Sequence, residues 1–110
     1  MITINISPLS VNKAWKGKRY KTDDYRAFEF LVSRTLPKEL KIPTGRLKIT
    51  LEWGFSSASS DWDNPIKPFQ DILQKKYKFD DKMIFEGSVK KVKTEKGKEY
   101  IKFKITQIEQ

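Results

Sequence analysis

The stretch "RLKITLEWGFSSASSDWDNPIKPFQDIL", Arg46 to Leu73, decides the fold. Leu47, Ile49, Leu51, Trp53 and Phe55 alternate with Arg46, Lys48, Thr50 and Glu52, the period of a strand with one buried face. A serine run follows, and then Ile66, Phe69, Leu73 and Tyr77 recur at helical spacing. Strand, loop and helix succeed one another within one short span. Between strand and helix stand Asp61 and Asp63, separated by Trp62 and followed at once by Asn64-Pro65.

Outward from this stretch the pattern repeats. Ile2, Ile4 and Ile6 alternate with Thr3 and Asn5, a short half-buried strand. Thr22 reads as an N-cap, with Asp23 and Asp24 in a first turn where the helix dipole favours acids. Tyr25, Phe28, Val32 and Leu36 hold helical spacing until Pro37, which predicts a helix from roughly Asp23 to Leu36. Two extended segments close the chain, about Met83 to Lys93 and Glu99 to Gln107, and "TEKGKE" between them predicts a hairpin turn at Gly97. The order β-α-β-α-β-β predicts an α+β domain over residues 1–110, a mixed or antiparallel sheet of about four strands with two helices on one side.

Composition narrows the chemistry. With no Cys and no His, the chain has no disulfide, no thiolate or imidazole ligand, and no His general base. Acid–base or metal work falls to carboxylates, Lys, Tyr and water. The formal charge of +9, from 23 Lys+Arg against 14 Asp+Glu, favours a polyanionic partner through counterion release. The alternating "MITINI" start is unlike a signal peptide, and no apolar run is long enough for a membrane span, so a cytoplasmic protein is expected.

Two readings of the acidic pair stand side by side. In one, Asn64 caps a helix with Pro65 at its first position, and Asp61 and Asp63 favour the positive end of the dipole. In the other the pair holds a cation. If the strand continues through Asp61 to Asp63, the side chains share a face about 6.6 Å apart. At an effective dielectric near 20 they repel by about 2–3 kcal/mol, which a cation between them would relieve. Mg²⁺ suits one or two carboxylates plus water. A second pair, Asp80-Asp81, follows the helix, where it is either a polar turn or a further ligand. Lys67, Asp71 and Lys75 at four-residue steps are either an ion-pair ladder or a frame that presents Lys67 to a phosphate. A calcium-loop reading fails, because Ile66 and Ile72 stand where that loop needs Gly and Glu.

"DWDN" with Lys67, "DIL" at Asp71 to Leu73 and "DD" at Asp80-Asp81 resemble the RusA family of Holliday junction resolvases. "SVNKAWKGKRYKTDDYRAF" is similar to that family's segment before its first helix, so the resemblance covers nearly the whole chain. It implies a cytoplasmic, bacterial or phage-encoded homodimer that cuts four-way junctions and other branched DNA with Mg²⁺, Mn²⁺ being able to substitute. It assigns Asp61, Asp63 and Asp81 as metal-binding catalytic carboxylates, Asp80 as a further candidate ligand, and Lys67 as the basic residue near the scissile phosphate. Asn12, Lys13, Trp15, Lys16, Lys18, Arg19 and Lys21 become the expected DNA-binding segment, charges for phosphates and aromatics for unpaired bases. The alternatives are a branched-DNA binder of the same fold that does not cut, and a small basic adaptor domain whose acids only cap a helix.

Overall fold

Leu47–Phe55 forms the longest fully packed strand, and everything else is arranged around it. The computed structural model describes residues 1–9, 15–16 and 20–108, with Trp15, Lys16 and Tyr20 described by their backbone alone. In chain order the elements are β1 (Ile2–Ile4), β2 (Trp15–Lys16), β3 (Tyr20–Lys21), α1 (Asp23–Thr35), β4 (Leu47–Phe55) and α2 (Ile66–Tyr77). A single 3₁₀ turn (Asp81–Met83), β5 (Ile84–Lys93) and β6 (Tyr100–Gln107) complete them. β2 and β3 make a small ladder of their own, while the main sheet has the order β1-β6-β4-β5. β4 is antiparallel to β6 and parallel to β5, so the sheet is mixed and the α+β expectation holds.

The alternation in β4 does what its period implies. Leu47, Ile49, Leu51, Trp53 and Phe55 are buried against the helices, with Ile4, Ile101 and Phe103 beside them. Phe69 of α2 sits edge-on to Trp53 (5.8 Å, 87°) and to Phe103 (5.4 Å, 70°), a geometry that sets positive ring edges against negative faces. The opposite sheet face stays wet and charged: Lys102 lies 3.8 Å from Glu52 across the β4–β6 ladder, and Lys48 lies 3.0 Å from Glu86 across β4–β5.

One connection differs from expectation. "TEKGKE" is not a hairpin, because β5 and β6 do not pair; β4 lies between them. The crossover through α2 returns the chain parallel to β4 on one flank, leaving the other flank of β4 for β6. The linking segment therefore bridges the end of β4, where Thr94 N donates to Phe55 O at 2.7 Å. Gly97 still supplies the turn, at φ +91.

α1 starts as its sequence implies, with Thr22 Oγ1 accepting from Tyr25 N at 3.1 Å. The two helices lie side by side and run the same way. Tyr25 OH reaches Pro68 O at the start of α2 (3.5 Å), while Tyr77 OH donates to Pro37 O at the far end (2.6 Å). Lys76 adds bonds to the carbonyls of Ser33 and Leu36, closing the last turn of α1. Both N-termini therefore face the same end of the molecule, the end where β4 finishes.

Candidate active site

The acidic loop is held from below by the core. Trp53 is 0% exposed, and its indole N–H has one course when buried, to find an acceptor. It donates to the carbonyl of Trp62 at 2.7 Å, fixing the middle of Asp61-Trp62-Asp63 above the end of β4. Lys91 of β5 secures the preceding serine run, donating to Ala58 O and Ser60 O at 2.8 Å each. The sheet thus grips the loop at three carbonyls, leaving the acids outside.

Asp61 and Asp63 are both exposed, and the segment bends instead of continuing the strand. The expected extended pair on one face is not what forms. The expected cap also differs: Pro65 is the N-cap residue, without a side-chain cap bond, and Ile66 opens the helix. The Asn64 side chain turns the other way, donating from Nδ2 to Asp61 Oδ2 at 2.9 Å. Asn64 orients an acid instead of ending a helix. Pro68 costs nothing at this place, since first-turn N–H groups have no intrahelical acceptor.

A cleft of about 560 Å³ opens beside the loop, lined by Asp61, Asn64, Asp24, Phe55 and the serines Ser56, Ser57, Ser59 and Ser60. Asp24 stands in the first turn of α1. The positive ends of two parallel helices are thus directed at one acidic cleft, and such ends favour negative charge.

Lys67 lies in the first turn of α2, more than half exposed, its ammonium 2.9 Å from Asp71 Oδ1. The expected ladder does not extend to Lys75, which lies 3.9 Å from Glu29 instead. Lys21 is likewise engaged, 3.0 Å from Glu29 and over the ring of Tyr25. Of the remaining expected DNA contacts, Trp15 and Lys16 are placed by backbone in β2, and Asn12, Lys13, Lys18 and Arg19 lie outside the described residues.

The second acidic pair is elsewhere. Asp80 caps the 3₁₀ turn, its Oδ1 accepting from Lys82 N at 3.0 Å. That backbone bond, foremost, holds its carboxyl below the usual range. Asp81 heads the same turn, exposed, just before β5 begins at Ile84. Ile84 pairs with Leu47, the first residue of β4, whereas the Asp61–Asp63 loop is tied to the last turns of that strand. The two acidic pairs sit at opposite ends of α2, which spans about 18 Å. Among the described residues of one chain, no three acids come together as a metal cluster.

Three site residues were beyond the sequence reading. Trp53 looked like one more core position, though a Trp on a buried face always carries an N–H in need of a partner. Lys91 shares a strand face with Val89, and a Lys at that parity is a signal that its head goes somewhere specific. Asp24 was read as a helix-start acid; only the tertiary fold brings it to the cleft that Asp61 lines.

Two helices on one face of a mixed sheet, with an acidic loop beside the starts of both helices, define a small α+β domain with a polar cleft. The family described as Endodeoxyribonuclease RusA matches residues 8–104 of the chain. The chain belongs to the RusA family. No curated protein matches it in a sequence comparison. No helix among the described residues is long and apolar enough to cross a membrane.

Proposed function

We propose that the protein is a Mg²⁺-dependent endonuclease that cuts four-way junctions and related branched DNA, working as a homodimer. The observation that carries this is the loop Asp61–Asn64, held at Trp62 by Trp53 and preceded by a serine run that Lys91 secures, with Asp61 and Asn64 lining a cleft beside the starts of both helices, in a family of endodeoxyribonucleases.

The residues suit the ion. Two exposed carboxylates with open lone pairs match Mg²⁺, which prefers oxygen, keeps several waters and takes few protein ligands. When bound, the ion would supply activation of water and relief of charge at the scissile phosphate. Asp61 and Asp63 would hold it, and Asn64 keeps Asp61 from rotating away. The helix ends draw the phosphate in, and Lys67 adds positive charge as negative charge grows on the departing oxygen. With a formal charge of +9, the rest of the chain supplies affinity for the backbone of DNA.

The separation of Asp81 from Asp61 and Asp63 within one chain favours a second reading, a protein that binds branched DNA without cutting it. Asp63→Asn separates the two, since it removes the charge and keeps the shape. The nuclease reading expects the parent protein to nick a synthetic four-way junction in Mg²⁺, and Asp63→Asn to bind that junction as tightly while cutting at least ~100-fold more slowly. Tight junction binding by the parent, with no product in Mg²⁺ or Mn²⁺, supports the binder instead.

A further inference from the structure

We infer that the groove between the two helices binds an unpaired DNA strand, with Arg26, Arg34 and Lys75 on its phosphates and Phe30 against a base. This rests on the reading of branched DNA as the partner, and not on cutting. An open groove of about 560 Å³ runs between α1 and α2, and its lining includes Arg26, Glu29, Phe30, Arg34, Lys75 and Lys76. It shares no lining residue with the acidic cleft. Four cations meet one carboxylate there, and Glu29 already has Lys21 at 3.0 Å and Lys75 at 3.9 Å. Lys76 is committed to the carbonyls of Ser33 and Leu36. Arg26 lies 3.8 Å from an Asp23 carboxylate that is open to water, a contact that solvent largely screens. The charge on offer to a partner thus belongs to Arg26, Arg34 and Lys75.

Phe30 is the residue that charge alone does not explain. Its ring is 59% exposed and stands outside the core. It follows Arg26 by four residues and precedes Arg34 by four, so the three side chains form one row along α1, stepping about 6 Å each. The Arg34 guanidinium lies over the ring, 5.3 Å from its centroid. Cation, aromatic and cation in a row suit a strand with open bases, which offers phosphates at intervals and flat faces between them. A duplex satisfies the cations but keeps its base faces inside the stack, and an acidic peptide satisfies them without needing the ring. Position agrees with this choice. Arg26 lies two residues beyond Asp24, which lines the cleft, so a strand leaving the cleft along α1 meets Arg26, Phe30 and Arg34 in turn. The groove therefore favours substrates with a flap or an opened branch over fully paired DNA.

The test is binding in excess chelator, read by fluorescence anisotropy on labelled oligothymidylate and on a blunt duplex of equal length. Phe30→Ala is expected to weaken strand binding ~10-fold and to leave duplex binding unchanged. Arg26→Gln with Arg34→Gln should weaken strand binding further at low salt and make its salt slope shallower by about 1.4. Phe30→Trp should keep the affinity, and the strand should quench its emission beyond the parent's own change, while polyglutamate does not. Strand affinity unchanged in Phe30→Ala overturns the inference, as does an equal loss on strand and duplex. An emission change with polyglutamate equal to that with the strand assigns the groove to an acidic protein. Altered sedimentation of Phe30→Ala at unchanged strand affinity assigns it to a second copy. Either result overturns the inference. No step needs cutting, so the outcome stands whether or not the parent nicks a junction; a parent that binds neither DNA at low salt brings down the DNA reading as well.

Discussion

At the scale of single residues, the loop depends on side chains that hold its carbonyls from the sheet. Trp53 fixes one carbonyl of the acidic loop, and Lys91 fixes two in the serine run before it. Lys91 is the cleaner probe, because its head lies outside the core. Lys91→Met keeps the stem and loses the clamp. Cleavage should fall ~10–100-fold through misplacement of the acids, with the serine run cut faster by protease; Lys91→Arg should restore most of both. An unchanged kcat in Lys91→Met would mean the loop holds itself. These roles were hidden in the sequence for a physical reason. Periodicity reports which way a side chain points, whereas the partner of an N–H or an ammonium is decided by chain segments distant in sequence.

At the scale of elements, most of the architecture was legible. β4 showed its buried face by alternation, α1 its start by Thr22, and α2 its packing face by Phe69 and Leu73. The false step was the hairpin, since turn chemistry at Gly97 is the same whether the flanking strands pair or are separated by a third. The β4–β6 ladder carries a test of its own. The ring of Tyr100 lies over Gly54, where even one added methyl would collide with it, and Tyr100 OH donates to Glu52 Oε2 at 2.6 Å. Gly54→Ala should therefore destabilise the domain by about 1–3 kcal/mol in urea titration. Burial, then the bond and the charge of Glu52, push the Tyr100 phenol up to about 12. Because the folded state holds this proton more tightly than the unfolded, the associated stability is present below pH ~10 and lost as pH rises toward 12. Ultraviolet titration of Tyr100→Phe should lack one tyrosinate step at the high-pH end of the parent's curve. A step lost near pH ~10 instead would show that Tyr100 titrates normally.

At the scale of the whole molecule, a strongly cationic chain presents acids at two ends of one helix. The motif residues could be picked out in the sequence, but their separation could not. Spacing along the chain puts a helix between Asp63 and Asp81, but it does not say that the strand after Asp81 pairs parallel to β4, which keeps the two acidic pairs at opposite ends of that helix. Charge also sets how the protein finds DNA: junction affinity should fall steeply between low and moderate salt, with log K linear in log salt. The most direct test of the central claim is cleavage of a synthetic four-way junction by the parent protein, with Mg²⁺, with excess chelator, and with Mg²⁺ restored. Paired nicks that vanish with chelator and return with the ion are the expected result; cutting that persists under chelation, or none under any divalent ion, contradicts it.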